Sequence, residues 1–112
     1  MTIFDKIISK EIPAKIIYED DICLAFHDVN PQAPVHALLI PKTLIRSMAE
    51  VDSSHKEILG HMMTLIPQLT RLLGLAQDGY RLVVNTNDNG GQTVFHLHIH
   101  ILGGRKMNWP PG

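Results

Sequence analysis

Apolar and polar residues alternate along this chain with two different periods, and the changes of period divide it into helices and strands. Residues 3–9 carry apolar side chains at helical spacing, which predicts a short amphipathic helix that Pro13 stops. Two short β-favouring runs, at residues 16–18 and 23–26, flank an acidic turn and predict a hairpin. A loop stiffened by two prolines then leads into a third predicted strand at residues 35–40, which Pro41 ends.

The longest helical pattern follows Ser54, which is predicted to form a capping box with Glu57. Pro67 interrupts the pattern and should kink the helix or loosen one turn, and Gly74 is the expected C-terminal stop. The apolar stripe of this helix consists of Ile58, Met62, Leu65, Leu69 and Leu72.

Two further strands are predicted at residues 80–86 and 93–102, joined by turn-forming residues at 87–91. Strands, one principal helix and then strands again indicate an α+β fold. We expect a largely antiparallel sheet of about five strands with one long and one short helix. No repeat, linker or biased segment interrupts the 112 residues, so we expect a single domain over residues 1–112.

The last predicted strand carries a histidine at every second position: His96, His98 and His100. Because successive side chains on a strand point to opposite faces, all three imidazoles should share one face. The intervening apolar residues should face the core and fix the register, since a slip of one residue would bury the histidines. These core-facing residues are Leu97, Ile99 and Ile101.

Composition narrows the range of functions. Seven histidines outnumber the six aromatic residues, and histidine suits proton transfer, metal binding or nucleophilic attack near neutral pH. The net charge of −1 argues against a nucleic-acid partner. No apolar run approaches the ~20 residues that a membrane helix needs, so we expect no membrane partner. The single cysteine, Cys23, cannot form an internal disulfide, which favours a cytoplasmic location.

Two chemistries fit the histidine row. On a strand that rises ~3.3 Å per residue, His96 and His100 start ~13 Å apart, so all three histidines cannot bind one ion. A metal held by two of them with His36 stays an alternative, although we expect no metal and no cofactor. The other chemistry is attack on phosphorus by the central imidazole while its neighbours handle protons. Asn85 and residues 90–93 would then supply donors for an anionic phosphate.

These residues resemble the histidine-triad (HIT) superfamily, whose signature of three alternating histidines followed by two apolar residues matches residues 96–102. Residues 20–28, 31–34, 90–92 and 109–112 are similar to its nucleotide-binding branch, so the resemblance covers nearly the whole chain. It implies a HIT-like fold that forms a homodimer. It also implies hydrolysis of purine nucleoside 5′-phosphoramidates, which are conjugates of AMP or GMP, without a metal.

Under this resemblance His98 would be the nucleophile that forms a transient nucleotidyl-histidine. His100 would contact the phosphate and the leaving group, and His36 and His96 would form the supporting proton network. The alternatives are hydrolysis of dinucleoside polyphosphates, a nucleotide-binding scaffold with little catalysis, and a zinc protein.

The resemblance also implies a nucleotide site. Asp28 would accept hydrogen bonds from the ribose hydroxyls, and Trp109 would approach the site of the partner subunit. The base would lie against Ile12, Phe26 and Val29. The phosphate would be held by Asn85, Gly91, Gln92 and Thr93. The family commonly has Ser at position 93, where the extra methyl group of Thr narrows the leaving-group side.

The remaining histidines give weaker signals. His27 should face away from its neighbours and lie on the surface. His55 and His61 are six residues apart on the long helix, which favours a solvated or dimer-contact role for each. Pattern alone would make His36 a core histidine, because it alternates with Leu38 and Ile40.

Overall fold

The computed structural model describes residues 1–112 as one antiparallel sheet with a helix packed on each face. The strands lie in the order β1-β2-β3-β5-β4, which confirms the predicted α+β fold with five strands. The strands are β1 (Ile16–Glu19), β2 (Cys23–His27), β3 (Val35–Pro41), β4 (Tyr80–Val83) and β5 (Ile99–Gly103). The helices are α1 (Ile3–Ile8), α2 (Lys56–Leu72) and the single turn α3 (Asn87–Gly90). No helix is long and apolar enough to cross a membrane.

One face of the sheet is closed by α2. Alternate residues of the central strands point toward this helix and are buried with most of its apolar stripe, which excludes water from that face. Leu72, the last residue of the predicted stripe, is exposed. The core there contains Cys23, Ala25, Ala37, Leu39, Ile99 and Ile101 from the strands and Met62, Leu65, Ile66 and Leu69 from α2.

The other face is covered in part by α1. Thr2 and Asp5 form a capping box at the start of this helix, with the Thr2 N–H donating to the Asp5 carboxylate at 2.9 Å. Phe4 and Ile7 project from α1 onto the sheet, where they pack against the other set of alternate strand residues. Those strand residues are Leu24, Phe26, Leu38 and Ile40.

The start of α2 differs from the predicted one. The helix is preceded by a 3₁₀ turn, Ser53–His55, and Asp52 with His55 forms the capping box, so the Ser54 and Glu57 box is wrong. Asp52 takes the cap because its carboxylate accepts from the Ser54 N–H at 2.9 Å. At the other end, Gly74 follows the helix at φ +73°, which confirms it as the stop.

The last two strands are shorter than predicted. Pairing between β4 and β5 joins residues 80–83 to residues 100–103, and residues 84–98 leave the sheet. The Leu97 N–H donates to the Ile45 carbonyl at 2.7 Å, a bond to a loop rather than to a strand. Residues 87–91 were predicted as a turn, and residues 87–90 form one helical turn there. The histidine segment therefore enters the sheet only at Ile99.

Candidate active site

Three of the four predicted catalytic histidines meet on the sheet face beneath α1. His36 lies on β3 and His100 on β5, next to it in the sheet, and their ring centroids are 5.1 Å apart. The ring of His98, just before β5, lies 4.9 Å from that of His100. Ile99 and Ile101 are buried under α2, so the predicted alternation of faces is confirmed over residues 98–101.

Two of the triad histidines have buried side chains. His96 is 0% exposed and His98 is 6% exposed. The Phe4 ring covers them edge-on, with its centroid 5.1 Å from that of His98 and 6.0 Å from that of His96. Leu97 is also buried, but it lies apart from the core under α2 because its segment has left the sheet.

The protonation of His98 follows from its hydrogen bond. Its Nδ1 lies 2.7 Å from the His96 carbonyl oxygen, which can only accept, so Nδ1 carries the ring proton. Burial lowers the pKa of His98, so the ring is neutral at pH 7. The Nε2 atom of His98 then keeps a free lone pair, as a nucleophile requires.

A second set of bonds fixes His36 and His100. The Gln32 N–H donates to His36 Nδ1 at 3.0 Å, which leaves the His36 proton on Nε2. That Nε2 lies 2.9 Å from His100 Nδ1 and donates to it, so His100 carries its own proton on Nε2. Burial lowers the pKa of His100 to about 4, helped by the neighbouring His98 and His36, and burial also lowers the pKa of His36. The chain of bonds thus ends in a neutral imidazole whose Nε2–H is free to donate.

Asp28 stands beside this chain. One of its carboxylate oxygens lies 3.4 Å from His36 Nε2, and the other accepts from the Asn30 N–H at 2.8 Å. The carboxylate is therefore oriented by the loop that follows β2.

A cavity of about 600 Å³ opens over these histidines, and its wall combines apolar and polar residues. The apolar lining includes Ile3, Phe4, Ile7, Ile12, Phe26, Val29 and Leu38. The rest of the lining includes Asp28, His36, Gly91, Thr93, His98 and His100. A ligand with one flat apolar part and one anionic part would match this mixed lining.

Gly91 is one of the loop residues that line the cavity. Its φ of +80° is a left-handed conformation that favours glycine. A Cβ placed there would meet no atom within 4 Å, so the backbone conformation, and not crowding, requires the glycine.

Four of the predicted site residues do not line this cavity. The buried Gln92 accepts from the Asn87 N–H at 3.0 Å and donates to the Arg46 and Val94 carbonyls, so its amide group braces the loop. Asn85 and Trp109 line a separate groove formed by the C-terminal tail, and Trp109 is 82% exposed. The fourth, His96, lies beneath the cavity.

His96 has a scaffolding position. Its Nε2 donates to the Pro41 carbonyl at 2.7 Å, and its own carbonyl holds His98. Its Nδ1 is buried without a hydrogen-bond partner, and a carboxylate oxygen of Asp5 lies 3.8 Å away. The His96 side chain therefore makes no hydrogen bond to another imidazole, and the one ring-to-ring hydrogen bond joins His36 to His100.

Sequence reasoning missed the contribution of α1. The sequence predicted residues 3–9 only as a short amphipathic helix, yet Ile3, Phe4 and Ile7 all line the cavity. One sequence feature indicated this contribution. Ile3 extends the apolar face of the six-residue helix α1 beyond the residues that pack into the core, and its side chain is half-exposed.

The other histidines have separate surroundings. His27 is exposed, as predicted, and it also lines the cavity. His55 belongs to the cap of α2. His61 was expected to be solvated or at a dimer contact, but it is half-buried and its Nε2 lies 2.6 Å from an Asp20 carboxylate oxygen.

Comparison with known proteins agrees with this geometry. The HIT domain family model matches residues 9–107. A 14 kDa zinc-binding protein of Zea mays is 51% identical, with 99% of this chain and 88% of the relative covered. The purine nucleoside phosphoramidase of Escherichia coli (strain K12) is 50% identical, with 95% and 89% covered. The structure of a HIT family hydrolase from Legionella pneumophila superposes with a TM-score of 0.96 at 46% identity over the full length of both chains. The chain belongs to the HIT family.

Proposed function

We propose that this protein is a hydrolase that cleaves the P–N bond of purine nucleoside 5′-phosphoramidates to a nucleoside monophosphate and an amine. The observation that carries the proposal is the hydrogen bond from His98 Nδ1 to the His96 carbonyl, which frees Nε2 for attack at the cavity wall. The Escherichia coli relative, a purine nucleoside phosphoramidase, supports the same substrate class.

The proposed reaction has two displacements at phosphorus. His98 Nε2 attacks, the P–N bond breaks, and the amine leaves with a proton from a water molecule whose oxygen accepts a hydrogen bond from His100 Nε2. The resulting hydroxide attacks the nucleotidyl-histidine, the bond between phosphorus and Nε2 breaks, and His98 is released. The Gln32–His36–His100 chain supports this role, because it holds the His100 proton on the nitrogen that is not bonded to His36.

The apolar and polar residues of the cavity lining supply the proposed substrate contacts. A purine would lie between the side chains of α1 and Phe26, where apolar burial favours an aromatic ring. The Asp28 carboxylate would accept from the ribose hydroxyls. The Thr93 hydroxyl and the backbone at Gly91 would bind the phosphate, while Gln92 holds their loop in place.

A homodimer belongs to the same proposal. β4 is an edge strand, so one side of it has backbone groups without a partner strand. Apolar side chains near it are exposed at Tyr80 and Val84, and Leu72 and Met63 are exposed on α2. Pairing of two edges would cover these groups, and the exposed Trp109 could then reach the partner's cavity.

Assays of the same protein test the three alternative functions. Dinucleoside polyphosphate hydrolysis would show as a preference for that substrate in a side-by-side assay. A nucleotide-binding scaffold would bind nucleotide without turnover. A catalytic zinc would show as lost activity in chelator, whereas we expect full activity because no metal takes part in the proposed steps. The cytoplasmic location stays a prediction.

The decisive assay follows amine release from adenosine 5′-phosphoramidate. His98→Asn can still donate to the His96 carbonyl but cannot attack, so we expect kcat/KM to fall at least about 10³-fold. His55→Asn is the matched control, since His55 lies in the cap of α2, and it should retain full activity. Undiminished turnover in His98→Asn would remove His98 as the nucleophile.

A further inference from the structure

Asp20, Cys23 and His61 form a second cluster of reactive side chains, and the proposed hydrolysis makes no use of it. Asp20 follows β1, Cys23 begins β2, and His61 lies in the second turn of α2. Their donor atoms all lie within 4.8 Å of one another. The cluster sits on the α2 face of the sheet, opposite the histidine cavity, because Cys23 is part of the core under α2.

The Asp20 carboxylate is held in one orientation. Its Oδ1 accepts from the N–H groups of Ile22 and Cys23, both at 2.8 Å. Its Oδ2 faces His61 Nε2 at 2.6 Å and the Tyr18 hydroxyl at 2.8 Å. Burial opposes ionisation, but these hydrogen bonds together hold the pKa of Asp20 well below its usual range. A fixed carboxylate oxygen therefore points at the imidazole and the thiol.

The environment of Cys23 distinguishes between two roles for this trio, a cysteine nucleophile and a metal-binding site. A cysteine nucleophile needs access to substrate and an easily formed thiolate, yet Cys23 is fully buried and burial raises its pKa to about 12. A metal ligand needs neither, because the bound ion itself stabilises the thiolate. The trio is reached from solvent through Asp20 and His61, whose side chains are 24% and 34% exposed.

We propose that Asp20 Oδ2, Cys23 Sγ and His61 Nε2 form a binding site for one Zn²⁺ ion, with water as the fourth ligand. Thiolate, imidazole and carboxylate are the donors that zinc prefers in tetrahedral sites. With zinc–ligand distances of about 2.0–2.3 Å, the nitrogen and oxygen ligands would stand about 3.3 Å apart, so the Asp20–His61 contact opens by under about 1 Å. The His61 proton moves to Nδ1, the thiol proton passes to solvent, and Tyr18 keeps its bond to Asp20. The ion would tie the β1–β2 turn to α2.

A second trio, Asp28, His36 and His100, also lies within 4.8 Å, but it is part of the histidine cavity. Its imidazole nitrogens are already committed to the Gln32–His36–His100 chain. It contains no sulfur, which makes the two locations distinguishable by spectroscopy.

Cobalt is the probe, because Co²⁺ replaces Zn²⁺ in tetrahedral sites and a thiolate ligand gives it a near-ultraviolet charge-transfer band. Protein freed of metal by dialysis against chelator should bind one Co²⁺ with this band, and Zn²⁺ should displace it. His61→Asn should weaken binding of both ions at least about tenfold. Cys23→Ser should abolish the band. His36→Asn, the matched control in the other trio, should keep the band and the affinity.

Thermal unfolding gives a readout that does not depend on the charge-transfer band. Zn²⁺ should raise the Tm of the native protein and of His36→Asn by the same amount, and at the same Zn²⁺ concentration should raise that of His61→Asn less. If Cys23→Ser fails to fold, the half-exposed His61 variant still decides the question. Absence of the charge-transfer band at saturating Co²⁺, or binding lost in His36→Asn but kept in His61→Asn, overturns the proposal.

Discussion

The two faces of the sheet use the same strands for opposite purposes. On the α2 side, alternate residues of β2, β3 and β5 are aliphatic or small, and they pack without polar groups other than the Cys23 thiol. On the α1 side, the residues between them include His36, His98 and His100, and a cavity remains above them. The long helix closes its face completely, whereas the six-residue α1 covers only part of the other.

The difference shows how a small fold separates stability from chemistry. Close packing against α2 holds the strands rigid, and rigid strands hold the imidazoles at fixed distances. On the face under α1, hydrogen bonds to neighbouring groups fix which ring nitrogen of each cavity histidine carries the proton. This arrangement requires polar partners and open space. Changes on the two faces should therefore affect different measurements.

Neighbouring leucines on β3 test this separation most strongly. Leu39 is fully buried under α2, and Leu38 lines the cavity on the other face. We expect Leu39→Ala to lower the free energy of unfolding by about 2–5 kcal/mol and to leave KM unchanged. Leu38→Ala should cost less stability, because open space already adjoins it, and should raise KM. Denaturant unfolding and steady-state kinetics measure both, and equal effects of the two variants on KM would contradict the separation.

The hydrogen-bonded histidine pair gives the next largest effect. His36→Phe keeps a ring of similar size but removes the donor to His100 Nδ1. The His100 proton is then free to occupy either nitrogen, so we expect kcat to fall about 10–100-fold with little change in KM. Kinetics across a pH series would check this, and a variant with native kcat would show that the His36–His100 bond is only structural.

Gly91 and Gly60 form a smaller contrast between the loop of the cavity and α2. Gly91 has a φ of +80°, so Gly91→Ala should lower the free energy of unfolding by about 1–2 kcal/mol and weaken nucleotide binding. Gly60 is exposed on α2 with open space around it, so Gly60→Ala should raise the free energy of unfolding by about 0.5–1 kcal/mol. Unfolding curves and calorimetric titration with AMP distinguish the two variants. A gain in stability from Gly91→Ala would show that the backbone conformation at this position does not require a glycine.

The buried imidazoles also predict a pH dependence of stability. The pKa of His100 is lowered from 6.5 to about 4, so the unfolded chain binds more protons than the folded one between these values. Stability should be fully present above pH 6.5 and should decline as the pH falls toward 4. The groups facing His100 are His36, His98 and Asp28, and the pKa values of the first two are lowered as well. His100→Asn should flatten this decline in Tm, and an unchanged slope would show that other groups cause it.

Local pattern was enough to predict most of the fold. The apolar periods gave α1, the hairpin, β3 and α2 within a few residues, and the alternation from His98 to Ile101 gave the correct faces. The path of residues 84–98 was not predictable in this way, because the Leu97–Ile45 and Gln92–Arg46 bonds join segments far apart in the chain.

Roles that depend on a particular bond were also out of reach. Nothing local distinguishes His96, whose carbonyl holds the His98 ring from below, from His98 and His100, which line the cavity. His61 and Cys23 were read as separate residues, and only the packing of α2 against the β1–β2 turn brings them to Asp20.

The central claim is that His98 forms a covalent bond to phosphorus, and the stereochemistry at phosphorus tests it directly. An adenosine 5′-phosphorothioamidate of one configuration, hydrolysed in ¹⁸O-labelled water, gives a thiophosphate whose configuration can be determined. Each in-line displacement inverts the phosphorus, so attack by His98 followed by attack by water predicts overall retention. Inversion would mean that water attacks the substrate directly, and it would contradict the account.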